Sequence, residues 1–258
     1  QQPGLFAAFE VGLWTLDQAT ARGAAAGPAY LILGDADLAH PTTRLTTALT
    51  AGDLRLVNAQ GCLAFPARTE APTVLGMMPG TLPRLRAEFP AAPVTEILNQ
   101  PEPYVFAALL TVPAGQASVS GQAPALAQVG EAFDLLGVVA PTEAVPAGAA
   151  VPLTLRWRAR AAGGPVNYTT FVHLLSDQRP FLAGADGEPC QGRYPTSRWH
   201  AGEVIEWPVT LTLPADLAAG RYDLAVGMYE LASGQRLPVT QAAQREPDRA
   251  LAAVLTVR

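Results

Sequence analysis

The sequence predicts an α+β protein of two domains: a small α/β domain, then an antiparallel β-sandwich of immunoglobulin-like or jelly-roll-like kind. Three observations lead there. A chain of 258 residues suits one to two domains of about 100–200 residues each. Hydrophobic residues make up 49% of it and charged residues 15%, which is enough apolar matter for a core and the reverse of a disordered composition. The periodicity also changes along the chain, from strands mixed with helical spacing to strands alone.

The first domain spans residues 1–113. Phe9, Leu13, Leu16 and Ala19 recur near helical spacing, and Gly23 and Gly27 close that helix. Ala29–Leu33 is a short apolar run, read as a buried strand ending at Gly34. Pro41 opens a second helix, with Leu45 and Leu49 on one face and Gly52 as its stop. Leu54–Val57, Cys62–Phe65 and Thr73–Met78 follow as strands. Leu82–Phe89 reads as a third helix, with Pro83 in its first turn and Pro90 beyond its end. Val94–Leu98 and Tyr104–Val112 complete a small sheet covered by helices.

Residues 114–124 are small, polar and aperiodic, and read as a linker. The second domain, 125–258, shows strands punctuated by Gly and Pro. Val151, Leu153, Leu155 and Trp157 point one way, and Pro152, Thr154, Arg156 and Arg158 the other. Phe133–Val139, Tyr168–Leu175, Ile205–Leu213, Tyr222–Glu230 and Leu251–Val257 are the further strands. About seven strands in this style predict a sandwich.

Several function classes are excluded or weakened. A net charge of −5 without a basic stripe speaks against nucleic acid as a partner. No apolar run reaches the ~18 residues of a membrane span. The three histidines, His40, His173 and His200, accompany no Gly-x-Ser-x-Gly elbow, so no catalytic residue is assigned. Phosphate-cradling glycine motifs are absent and no cofactor is expected. Cys62 and Cys190 lack metal-ligand spacing. They read as buried thiols, with a disulfide between them left open. Asp35 and Asp37, with His40 nearby, follow a strand but lack the glycine and closing glutamate of a calcium loop, and no metal site is assigned. Asn167-Tyr168-Thr169 fits a glycosylation acceptor by chance.

The richest polar stretch lies in the sandwich. His173, Asp186, Tyr194, Arg198 and Trp199 are the residue types that hold sugars. Flat rings meet apolar sugar faces, and charged groups bond the hydroxyls. The competing reading is structural: Trp199 pins a long connection into the core, and Asp–His or Asp–Arg hydrogen bonds tie it down.

A resemblance rests on a longer set of residues. It includes Leu136-Gly137, Pro146-Ala147-Gly148, Leu153 to Trp157, Phe171 to Leu174, Asp186 with Pro189, Tyr194 to Trp199 with Gly202-Glu203, Gly220-Arg221-Tyr222, Val226 to Tyr229 and Gly234 to Val239. This pattern resembles the soluble C-terminal tail of multi-spanning bacterial membrane proteins similar to the dolichyl-phosphate-mannose–protein mannosyltransferase superfamily. It covers residues 130–258 well and 9–113 more loosely. The resemblance implies an extracytoplasmic, non-catalytic region that positions glycan or acceptor, with a lipid-linked sugar as a partner. It also implies a membrane connection through an upstream region, because the catalytic acid of that superfamily lies between membrane helices. The start at Gln1-Gln2-Pro3, with no methionine and no signal peptide, agrees with a leader, tag or membrane portion upstream.

Two rival readings stand beside it. One is a free-standing secreted carbohydrate-binding or adhesion module. The other is an enzyme with the Asp35–Asp37 loop as its site. The reading frame before Gln1 separates the first two: many apolar spans for the tail, one signal peptide for the secreted module.

Overall fold

The structure, a computed structural model, describes residues 28–33, 54–58, 62–77, 79–98, 105–177, 179–240 and 246–258. The helices expected at Phe9–Ala19 and from Pro41, and the Asp35–His40 loop, lie outside them. The chain is mostly β and divides into two compact units, Gln1–Gln122 and Ala123–Arg258.

The first unit is built on a five-stranded mixed sheet. Its strands are β1 (Ala29–Leu33), β2 (Leu54–Asn58), β4 (Thr73–Met77), β5 (Val94–Leu98) and β6 (Val105–Val112), in the order β2-β1-β4-β6-β5. β1 pairs in parallel with both β2 and β4, while β6 runs antiparallel to β4 and β5. The apolar run of β1 is therefore a central parallel strand, buried on both faces, which is why it shows no alternation. β3 (Leu63–Pro66) lies outside this sheet. Helix α1 (Leu82–Glu88) starts with proline in its first turn and buries Leu82, Leu85 and Glu88. Phe89 at its end meets Phe65 edge to face, with centroids 6.0 Å apart.

Buried Glu88 explains the stretch read as a linker. Its carboxylate accepts hydrogen bonds from the Ser120 amide and the Ser120 hydroxyl, each at 2.7 Å. Ser118 is buried and its amide donates to the Ala67 carbonyl at 2.9 Å. A Cβ at Gly121 would sit 2.4 Å from the Ala67 oxygen. Residues here are small because the backbone packs closely against its own unit, and the division between units falls after Gln122.

The second unit is an antiparallel β-sandwich. One sheet has the order β11-β10-β13-β15, formed by β10 (Tyr168–Ser176), β11 (Arg179–Gly187), β13 (Gly220–Glu230) and β15 (Ala250–Val257). The other runs β14-β7-β8-β9-β12 within this unit. Its strands are β7 (Ala127–Val129), β8 (Phe133–Val139), β9 (Ala150–Ala159), β12 (Glu203–Thr212) and β14 (Val239–Thr240). β9 alternates as its sequence requires, with Val151, Leu153, Leu155, Trp157 and Ala159 buried. Val172, Leu174, Leu224, Val226 and Met228 are the buried complement on the four-stranded sheet. Tyr222 at the start of β13 donates its hydroxyl to the Ala218 carbonyl at 2.7 Å, a tyrosine corner that fixes the turn into the strand.

The expectation of buried free thiols is corrected. Cys62 and Cys190 are both disulfide-bonded, and no free cysteine is present. Sequence spacing carries no information on such a bond, since bonding depends on spatial approach. No helix among the described residues is long and apolar enough to cross a membrane.

Candidate functional site

Five sandwich residues were singled out by chemistry, and the fold separates them into two places. His173 lies on β10, opposite Gly184 of β11 and Ala225 of β13. Phe171, two residues earlier on the same face, lies opposite Asp186 and Gly227. Aromatic rings on this face thus have small residues as cross-strand neighbours. A Cβ at Gly227 would come within 2.5 Å of the Phe171 ring, and one at Gly184 within 3.1 Å of both His173 and Phe181. Glycine inside these strands makes room for rings lying along the sheet.

The rings form a contiguous row. His173 is 4.6 Å from Phe171, and Phe171 is 6.3 Å from Tyr229 on β13. Phe181 meets His173 edge to face at 4.9 Å. The Arg236 guanidinium caps Phe171 at 4.4 Å from its centroid and pairs with Asp248 at 2.8 Å. Phe171 is buried beneath this cap, whereas Phe181 keeps 56% of its surface exposed.

Phe181 reaches this face through an irregularity. Leu174 pairs with Ala183, and Ser176 pairs with Arg179. Four steps on β11 therefore oppose two on β10, a bulge that re-aims the side chains within it. Strict alternation from Ala183 would turn Phe181 toward the opposite face.

Asp186 supplies the charge. Its carboxylate lies 3.4 Å from His173 Nε2, and its side chain is 40% exposed. Burial pushes the His173 pKa below its ordinary value. Asp186 pulls it upward, while Arg236 and Arg249 oppose Asp186 and add to the lowering. The imidazole is therefore neutral at pH 7, and the Asp186 contact assigns its proton to Nε2. Burial, and then Asp186, raise the Tyr229 pKa, so this phenol stays protonated and donates toward the carboxylate. His173 thus meets an exposed ring, Phe181, and at its Nε2 a partly exposed carboxylate, Asp186. That pairing suits a ligand with one apolar face and several hydroxyls.

Tyr194, Arg198 and Trp199 stand elsewhere. Trp199 is 1% exposed, donates its indole N–H to the Tyr194 carbonyl at 3.0 Å and meets Phe133 edge to face at 5.4 Å. Tyr194 is 3% exposed and donates to the fully buried Glu203 carboxylate at 2.8 Å, which also accepts from the His200 amide at 2.9 Å. These bonds hold the connection from β11 to β12 in place, so the anchoring reading describes Tyr194 and Trp199. Neither ring has a free face for a ligand. Arg198, next in sequence to Trp199, is exposed. The candidate site narrows to His173 and Asp186 and gains Phe181, Tyr229 and Arg236. The paired signal in the sequence was glycine within strands, at Gly184 and Gly227. No group of three or more His, Cys, Asp or Glu side chains among the described residues is arranged to hold a metal ion.

No protein-family model and no curated protein matches the chain. Among solved structures, the C-terminal domain of Wzt is similar over 51% of this chain and 77% of its own, with 14% identity and a TM-score of 0.37. That likeness is too remote to bear on function.

Proposed function

We propose that this chain is a non-catalytic, extracytoplasmic part of a membrane glycosyltransferase-like protein, and that its β-sandwich positions glycan on the outer face of β10, β11 and β13. The observation that carries the binding half is the exposed Phe181 ring, perpendicular to a neutral His173 that itself contacts the partly exposed Asp186 carboxylate. A sugar stacks its C–H face on such a ring and gives its hydroxyl protons to the carboxylate. Two disulfide-bonded cysteines support an oxidising compartment, and so the outer side of a membrane or the secreted space. The glycosyltransferase context is supported by the motif resemblance over residues 130–258.

A glycan array followed by titration with lipid-linked sugar tests the reading. The wild-type chain is expected to bind, and Phe181→Ala to lose binding while keeping its melting temperature. Full binding by Phe181→Ala would remove the site from consideration.

A further inference from the structure

His173 and Tyr229 converge on one carboxylate. His173 Nε2 lies 3.4 Å from Asp186 Oδ1, and the Tyr229 hydroxyl donates toward the same side chain. The imidazole is closed in. His173 is buried, with its ring 4.6 Å from Phe171 and 4.9 Å from Phe181. Its direct neighbours across the sheet, Gly184 on β11 and Ala225 on β13, carry no charge. Two cations act on it from beyond these strands. Arg236, between β13 and β14, lies over Phe171 and pairs with Asp248. Arg249, just before β15, pairs with Glu246. We infer that His173 and Asp186 form an acid-operated switch within the ring row: a proton on His173 draws Asp186 into an ion pair, away from Tyr229 and from ligand hydroxyls. This inference rests on the glycan-binding reading and names the regulation of that site.

The arrangement of charges carries it. Among the described residues Asp186 is the anion paired with His173, whereas Asp248 and Glu246 are each engaged by an arginine. Phe171 offers an imidazolium little relief, because the Arg236 guanidinium already stands 4.4 Å from that ring's centroid and repels a second cation. The added charge therefore falls on Asp186. Hydrogen bonds to an ionised acceptor are about twice as strong as neutral ones, and an acceptor whose charge is met by an imidazolium gives up part of that advantage. Burial, with Arg236 and Arg249, keeps the proton off at neutral pH, so the switch works below the ordinary 6.5. The coupling is reciprocal: a ligand held by Asp186 opposes protonation of His173 by the same factor.

The first test needs no sugar. In the full chain with carbon-labelled tyrosine and histidine, the Tyr229 ring carbon that bears the hydroxyl should shift with the midpoint of His173 as the pH is lowered from 7, followed by NMR. His173→Gln should abolish the Tyr229 step. Arg249→Gln removes a repelling charge and should move both midpoints upward together, which keeps the test open if His173→Gln folds poorly. A Tyr229 signal that ignores His173, or midpoints that part company in Arg249→Gln, would overturn the switch. The second test is calorimetric titration with mannotriose and maltotriose. Affinity is expected to be about tenfold lower in acid than at pH 7. Saturating sugar should then lower the His173 midpoint by about one pH unit, as linkage requires. Equal affinity on both sides of the His173 midpoint would overturn the regulation. A Tyr229 step that tracks His173 in a chain that binds no glycan at pH 7 would support the proton switch and strike the glycan reading itself.

Discussion

Trp199 and Phe181 are both large aromatics on the sandwich, yet one is 1% exposed and the other 56%. Truncating a buried aromatic leaves a cavity and costs about 3–5 kcal/mol. Trp199→Ala should therefore lower the urea midpoint sharply while the folded fraction keeps its glycan affinity. A loss of affinity at unchanged stability would show that Trp199 touches ligand after all. Gln191 is a different residue-scale case. It is exposed and adopts φ +56°, next to Cys190 at φ +58°. A left-handed conformation costs a non-glycine residue about 1–2 kcal/mol, and glycine gives back part of that relief through the unfolded state. Gln191→Gly should stabilise the chain by a net of about 0.5–1 kcal/mol, read from the denaturation midpoint. His173 sets a pH dependence. Its folded pKa lies below the ordinary 6.5, so its contribution to stability is complete above that value. As the pH falls from there through the depressed pKa, the unfolded chain binds the proton first and stability is lost. Subtracting the profile of His173→Gln from that of the wild type isolates this component. A flat difference would show that the imidazole is not held neutral.

At the scale of elements, legibility followed burial pattern. β9 shows both faces of a half-buried strand in its own alternation, and β8, β10, β12, β13 and β15 stand close to where periodicity places them. β11 was not seen. It is an edge strand in its sheet, and Leu182 to Gly187 is rich in Gly and Ala, which carry little strand signal. Asp186 sits within this strand, opposite Phe171. β7 and β14 are too short for any period to register. The candidate site was half legible: His173 and Asp186 were found by chemistry, but Phe181 depends on a bulge, and Tyr229 and Arg236 depend on pairings distant in sequence. The tyrosine corner offers a test of one element junction. Tyr222→Phe removes only the hydroxyl that meets Ala218, and one such bond is worth about 1 kcal/mol. A loss of that size in urea is expected. An unchanged midpoint would mean that packing of the ring alone fixes the turn.

For the whole molecule, composition and covalent state bear on one another. A chain with net charge −5 and few charged residues relies on apolar burial in two units rather than on ion pairs. Both of its cysteines are fully buried and disulfide-bonded, so thiols become reactive only when structure opens. In a reducing cytosol such bonds do not persist, and removing a native disulfide typically costs about 2–5 kcal/mol. Protein made in an oxidising compartment should release no thiol to a chromogenic reagent in denaturant until reductant is added. Reduction, or the double change Cys62→Ala with Cys190→Ala, should then lower stability by about 2–5 kcal/mol. Native protein should resist the same reductant for longer than denatured protein, because the sulfurs are shielded. If cytosolic protein with two free thiols proved equally stable, the disulfide would contribute nothing to folding. The argument for an extracytoplasmic setting would then rest on the motif resemblance alone.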